Sequence, residues 1–261
     1  VPFDPYHFEK LAREGATPAP EAVFRDIYQR NHWAGSTSAS GPGAAPDQIR
    51  HLRAALPALL AQIRVDTLLD LPCGDWSWMR TLELPVRRYI GADLLPDLIE
   101  PLAGEYSDAR HEFRVLDLTR DPLPAADLLL CRDCLVHLSY ADIRRALANI
   151  ARSGITYLLT TTFPATGENE DIVTGDWRVL NLERAPFGFP PPLELLNEHC
   201  TEGEGRFADK SLGLWRVAEL PHAWSASSSL ANAPEHPIRT TPARGKLSLR
   251  YPAAGRPRPA G

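Results

Sequence analysis

The sequence carries no excess of positive charge. Its 28 lysines and arginines stand against 33 aspartates and glutamates, a formal net charge of −5. Such a chain has no electrostatic footprint for a phosphate backbone, so nucleic acid is not an expected partner. Cysteine is scarce. Cys73, Cys131, Cys134 and Cys200 are the only four in 261 residues, which is no disulfide framework and points to a reducing, cytoplasmic setting. Long apolar runs are missing as well. None approaches the roughly 20 residues a membrane helix needs, and no membrane association is expected. The opening stretch VPFDPYHFEKLAREG lacks the basic start and apolar core of a secretory signal. The chain begins with Val rather than Met, as a processed or trimmed chain would. No solenoid-type repeat is present. What remains is 44% hydrophobic residues, enough for one sizeable core.

Hydrophobic periodicity orders the middle of the chain. Phe24–Tyr28 reads as a short helix, followed by a Gly/Ser/Pro-rich loop, NHWAGSTSASGPGAAP. From Asp47, a candidate cap, apolar residues at 49, 52, 56, 59, 60 and 63 mark one helix face, with Pro57 placed to kink it. Strand-like runs follow at Thr67–Leu71, Arg88–Asp93, Glu112–Leu116, Asp127–Cys131 and Ile155–Phe163. Helical patterns at Pro96–Tyr106 and Tyr140–Arg152 separate some of them, the second with Ser139 as cap, Asp142 at its third position and Gly154 as stop. Strand–helix alternation implies a parallel sheet. The segment 164–192 is polar, proline-rich and without period. Leu193–Asn197 and Leu212–Ala218 then read as an antiparallel edge pair. The expected architecture is an α/β, Rossmann-like, mostly parallel seven-stranded sheet with helices on both faces. Its divisions are an N-terminal helical and loop cap (1–46), a main domain (47–221) with an insertion at 164–192, and a Pro-rich tail (222–261). The tail's arginines are spread among prolines with little aromatic interleaving, a weak case for nucleic acid.

The informative stretch is TLLDLPCGDWSWM, residues 67–79. An apolar strand ends in Asp70 and passes at once into Pro72, Cys73, Gly74 and Asp75. A core strand has no need of that ending. In an open parallel sheet, ligands bind outside the carboxyl ends of the strands, and Gly74 lets backbone approach a ligand closely. Trp76–Thr81 reads as a helix-like segment offering free N–H groups. Asp93 follows Asp70 by 23 positions, near the roughly 20-residue offset of a ribose-binding acid. Asp117 and Asp133 close two further strands. Four acids at one sheet edge suit a polar, cationic or hydroxyl-rich ligand, whereas a single one would be ordinary turn chemistry.

These stretches (LLDLPCGDWSWM, YIGADLLPDLIE, FRVLDLTRDPLP and ADLLLCRDCLVHLS) resemble the class I S-adenosylmethionine-dependent methyltransferases over roughly residues 52–220. A later block, NEDIVTGDWRVLNLERAPFGFPPPL, resembles a bacterial subgroup of that family. The resemblance implies S-adenosylmethionine as cofactor and a role for each matching residue. Asp70 and Gly74, with Pro72, Cys73, Asp75 and Trp76 of the same loop, would line the methionine part. Asp93 and Leu94 would hold the ribose, and Asp117 and Leu118 would border the adenine. Arg132 and Asp133 would face the cofactor or the acceptor. The first loop departs from the family pattern, with Asp75 or Trp76 and Trp78 where further glycines are usual. That loop also disfavours a dinucleotide, whose pyrophosphate needs a glycine-lined approach.

Other residues carry two readings each. Cys131, Cys134 and His137 have metal-ligand chemistry but need a fourth ligand, for which Cys200 beside His199 is the only other cysteine; buried structural thiols are the favoured reading, so no metal is expected. His137 is placed as a base for a hydroxyl acceptor, or packs the following helix. Asp133 is the competing base, or orients His137. Trp33, with Ser38 and Ser40, folds over the cofactor or belongs to a plain surface loop. Trp177, Arg178 and Asn181 form an acceptor pocket or an ordered loop. Arg132 binds a substrate anion or pairs with Asp133 or Asp75. The expected function is methylation, at a hydroxyl, of a small-molecule or saccharide acceptor. A nicotinamide-dependent oxidoreductase and a scaffold that has lost its chemistry are the alternatives.

Overall fold

The computed structural model describes residues 4–16, 18–35 and 38–221; the expected tail, with its arginines, lies outside the described residues. Two short helices, α1 (His7–Arg13) and α2 (Pro20–Gln29), precede a third, α3 (Leu52–Gln62). The sheet follows with β1 (Thr67–Asp70), β2 (Arg88–Asp93), β3 (His111–Val115), β4 (Leu128–Cys131), β5 (Tyr157–Thr162), β6 (Glu194–Asn197) and β7 (Ser211–Arg216). Helix α4 (Pro96–Tyr106) joins β2 to β3, and α5 (Tyr140–Arg152) joins β4 to β5. The strand order is β3-β2-β1-β4-β5-β7-β6. β1 to β5 are parallel, and only β7 runs against its neighbours.

The two-residue period of the strands sorts the core onto two faces. Leu68, Leu128, Leu130, Leu159, Leu212 and Leu214 pack with Leu52, Leu56, Leu59 and Leu60 of α3 and with Ile99 and Leu102 of α4. Their neighbours Leu69, Leu129, Cys131 and Leu158 point the other way, onto Ile143, Ala146, Leu147 and Ile150 of α5. Strands buried on both faces read as continuous apolar runs, which is why LLD and LLLC show no alternation. Helix α5 starts where its cap predicts: the Ser139 hydroxyl accepts the Asp142 N–H at 3.2 Å and itself donates to the Asp142 carboxylate at 3.0 Å.

Two expectations need correction. The helix beginning at Asp47 starts instead at Leu52 with no side-chain cap, because Gln48 is held across the fold by Thr201 (2.7 Å) and the chain from 46 to 51 stays in turns. Pro57 lies within that helix without ending it. Trp76–Thr81 yields only a 3-10 turn at Met79–Thr81, so no helix N-terminus stands behind the first loop. The aperiodic segment 164–192 has little regular structure but is packed. Leu180, Leu182, Phe187 and Phe189 enter the α5-side core, and Asn169 and Asn181 staple the backbone through bonds to the carbonyls of Pro164, Thr166, Asn181 and Ala185 at 2.8–3.0 Å.

Leu129 is fully buried and Leu195 is 45% exposed. Leu129→Ala is expected to lower unfolding free energy by about 2–5 kcal/mol and Leu195→Ala by at most about 0.5 kcal/mol, read from urea denaturation midpoints.

Candidate active site

Because β1 to β4 are parallel and adjacent, their carboxyl ends deliver four loops to one edge. β1 sits between β2 and β4, and Asp70 lies level with Gly91 on one side and Leu130 on the other. A cavity of about 150 Å³ opens at this edge. It is lined by Asp70, Pro72, Cys73, Gly74 and Asp75 after β1, Asp93 and Leu94 after β2, Asp117 and Leu118 after β3, and Arg132, Asp133 and His137 after β4. Phe24, Tyr28, Trp33 and Ser40 close it from the N-terminal segment.

Asp70 is buried, and the Tyr89 hydroxyl donates to its Oδ2 at 2.6 Å. Burial pushes its carboxyl up to about 7 despite Tyr89 and Arg132, which favour the anion. Asp93 accepts the N–H groups of Gly74 and Leu95, both at 3.2 Å, so the acid that ends β2 also holds the loop after β1. Burial raises it to about 6, against those same backbone donors. Each carboxylate oxygen has more lone-pair capacity than these bonds use. Gly74 has φ +56°, and a Cβ there would meet Ser40 Oγ at 2.5 Å, so the close approach of the cap requires glycine. Asp75 binds the cap more directly: the Ser38 hydroxyl donates to its carboxylate at 2.6 Å. Asp117 shapes its own turn, accepting from the N–H and hydroxyl of Thr119 at 2.8 and 2.6 Å.

A second, smaller cavity of about 70 Å³ adjoins the first and shares Trp33, Ser40, Asp133 and His137 with it. Phe163, Trp177 and Phe207 form one of its walls in mutual edge-to-face contact, with Trp177 and Phe207 centroids 4.9 Å apart. Lys210, Glu202 and Gly43 stand among its other lining residues. Beneath it lies a buried ion cluster. Arg132 pairs with Glu198 through two bonds of 3.2 and 2.7 Å and donates to the Gly43 carbonyl at 2.8 Å. Lys210 Nζ donates to Asp133 at 2.7 Å. Burial alone would raise the Asp133 carboxyl, but Lys210 and Arg132 outweigh it and hold it below the usual carboxylate range.

His137 bridges the two cavities. Its Nδ1 lies 3.0 Å from the carbonyl oxygen of Asp176. A carbonyl can only accept, so Nδ1 carries the proton and Nε2 keeps its lone pair. Burial pulls the imidazole down to about 4. Trp33 lies over the ring at 4.6 Å between centroids and 34° between planes.

Most of the expected cofactor residues therefore line one cavity. Two do not. Trp76 turns away into an aromatic cluster with Tyr89, Tyr106 and Phe113, and Ser38 acts through Asp75 while Ser40 does the lining. Of the acceptor residues only Trp177 lines either of these two cavities. Arg178 gives its guanidinium to the carbonyls of Leu135, Leu138 and Glu170, and Asn181 staples the insertion, so both hold backbone. Arg132 lies 3.5 Å from Asp133, a pairing expected of it, and also pairs with Glu198, which nothing local in the sequence marks; it stacks over Trp78 at 5.3 Å. Tyr28, Phe24, Phe207, Glu202 and Lys210 were not singled out in the sequence, because nothing local marks residues that a distant turn brings in. The Cys131, Cys134 and His137 set does not converge on one point: His137 is turned to Asp176, and among the described residues no group of three or more His, Cys, Asp or Glu is placed to hold a metal. Among those residues no helix is long and apolar enough to cross a membrane.

No protein-family model matches the chain, and no curated protein matches it. Among solved structures it is similar to human N-acetylserotonin methyltransferase in complex with SAM, at 14% identity and a TM-score of 0.53, covering 80% of this chain and 65% of that one. It is also similar to the magnesium protoporphyrin IX methyltransferase of Synechocystis with bound SAH, at 15% identity and a TM-score of 0.41, covering 56% of this chain and 70% of that one. The first likeness is one of fold, and the weaker second adds nothing to it. The chain thus shares a Rossmann-like fold with that human methyltransferase, and spans about 65% of the length of its solved chain.

The buried acids have a measurable consequence. The Asp70 carboxyl sits higher in the folded protein than in the unfolded chain, so the folded state binds the extra proton between about pH 4 and 7. Its contribution to stability is full below that window and is lost as pH rises through it, while neutral His137 contributes in the opposite sense. Asp70→Asn keeps an acceptor for Tyr89 and removes the buried charge. The variant is expected to melt higher than wild type at pH 8 and close to it at pH 4; equal differences at both would refute this origin.

Proposed function

We propose that the chain transfers a methyl group from S-adenosylmethionine to a hydroxyl on a small molecule. The observation that carries this reading is the pair of adjoining cavities, one rimmed by buried acids and one walled by aromatics, with His137 at their shared boundary. The fold shared with a human methyltransferase solved with SAM supports the same reading.

The residues of the larger cavity fit that cofactor. Asp70 and Asp93 offer buried carboxylates to an ammonium and to ribose hydroxyls, and the apolar residues Leu94, Leu98, Leu116 and Leu118 flank the rest. When bound, S-adenosylmethionine supplies an electrophilic methyl group whose sulfur departs as a neutral thioether. The protein's work is then orientation and proton removal. Neutral His137 offers Nε2 to the acceptor hydroxyl, and the Asp176 carbonyl fixes the ring in the required tautomer. Ionised Asp133 favours the imidazolium as it forms. Asp133 is itself a poor base, since Lys210 and Arg132 hold it as the anion. A nicotinamide cofactor fits less well: the loop after β1 presents Asp70 and Asp75 where a pyrophosphate would need glycines.

Titration calorimetry with S-adenosylhomocysteine is expected to show saturable one-to-one binding, lost or much weakened in Asp93→Ala. Because Asp70 and Asp93 must ionise to receive the ligand, affinity is expected to fall as pH drops below about 7 and 6, with proton release visible as a buffer-dependent enthalpy. Absence of binding at pH 8 overturns the proposal. His137→Asn preserves a donor to Asp176; it is expected to cut methyl-transfer kcat by about 10²–10⁴ with near wild-type affinity for S-adenosylhomocysteine. A variant of full activity would remove His137 as base.

A further inference from the structure

The smaller cavity carries information about what it holds. Its aromatic wall is three packed rings, not a single one. Phe163, Trp177 and Phe207 meet edge to face, and Trp33 closes the side toward His137. The indole Nε1 of Trp33 is buried with no hydrogen-bond partner among the described residues. A saccharide, with hydroxyls around its rim, would find few polar partners on that wall and would leave its own donors unpaired. A flat apolar ring presents faces and edges that such a wall can match.

The polar end of the cavity has its own signature. Asp133 Oδ2, Lys210 Nζ and Glu202 Oε1 converge on Gly43: a Cβ built there would lie 3.0, 3.3 and 3.6 Å from them. Lys210 is already committed to Asp133, with Glu198 3.5 Å away, and Arg132 is committed to Glu198. Glu202 is different. Its carboxylate has no hydrogen bond and no ion pair among the described residues, though it lines the cavity. Two cations, Arg132 and Lys210, therefore face three carboxylates, Asp133, Glu198 and Glu202, and Glu202 is the one they favour through space without touching. Burial correspondingly raises the Glu202 carboxyl above its ordinary value. An anionic acceptor would meet this carboxylate and find Lys210 held in a direct pair with Asp133. A cationic donor would meet its complement.

We infer that the acceptor is a small aromatic amine bearing a phenolic hydroxyl, its ring against the Phe163–Trp177–Phe207 wall, its ammonium on Glu202 and its hydroxyl toward His137. This deepens the methyltransferase reading and rests on it for the reaction, though not for the binding. In that reaction the phenolic oxygen gains the methyl group and loses its proton to His137 Nε2, while the electrons of the broken sulfur–carbon bond return to sulfur.

Tyramine is the probe, compared with 4-hydroxyphenylacetate, p-cresol and glucose, in wild type and Glu202→Gln. Two readouts are taken: ligand binding by saturation-transfer NMR, and transfer of labelled methyl from S-adenosylmethionine. Tyramine is expected to bind, and to be methylated with a kcat/KM about tenfold or more above the anionic and neutral phenols, the scale of one desolvated charge contact. Glu202→Gln is expected to raise the tyramine KM about tenfold, leave p-cresol unchanged and leave S-adenosylhomocysteine binding intact. Preference for 4-hydroxyphenylacetate or glucose, or indifference of tyramine to Glu202→Gln, overturns the inference. If S-adenosylhomocysteine binds and tyramine does not, the acceptor assignment fails alone. If tyramine binds through Glu202 and S-adenosylhomocysteine does not, the cavity assignment stands and the methyl-transfer reading falls.

Discussion

The buried ion pairs around Arg132 hold the site together. Arg132 stands in the loop after β4, Glu198 just past β6, Lys210 just before β7, and Gly43 in the N-terminal segment. Three parts of the chain far apart in sequence therefore meet on a few charged hydrogen bonds. Such pairs add little net stability, because removing two charges from water costs several kcal/mol per ion. Their effect here is placement. Losing one partner would strand the other in the interior at a cost of about 3–5 kcal/mol, so the loop after β4 has one favourable arrangement. In it Asp133 takes a left-handed backbone, φ +50°, and His137 is brought against Asp176.

The N-terminal segment is held by the same logic on a smaller scale. The Asp176 carboxylate accepts the N–H groups of Phe8 and Glu9 at 2.8 and 2.9 Å, while its carbonyl receives His137 Nδ1. One residue of the insertion thus seats α1 and fixes the tautomer of the imidazole. Ser38 on Asp75 and the tight meeting of Ser40 with Gly74 complete the closure over the loop after β1. Cap, insertion and sheet edge act as a unit, and each supplies residues to the cavities.

The fold was largely legible because its signals are local. A strand buried on both faces must be apolar throughout, and a helix on its surface must repeat at three and four residues, so β1, β4 and α5 announce themselves. The acids at strand ends were legible for a related reason: one carboxylate after an apolar run is ordinary turn chemistry, but four in a row at one sheet edge stand out. What local signals did not show is where contacts are long-range. Trp76 reads as a loop residue and is claimed by Tyr89 and Phe113. Arg178 and Asn181 read as site residues and are claimed by backbone carbonyls of an irregular segment, which needs side chains to satisfy it because it has no ladder of its own.

The sequence alone determined the order of elements, the parallel sheet and the row Asp70, Asp93, Asp117 and Asp133 at one edge, since each depends on periodicity and on chain direction. Tertiary structure alone decided what those residues can do. Whether Asp133 is a base or a counter-ion depends on Lys210, a residue 77 positions away. Whether His137 is neutral, and at which nitrogen, depends on burial and on one carbonyl 39 positions away. Charge state is set by surroundings, and surroundings are made by the fold.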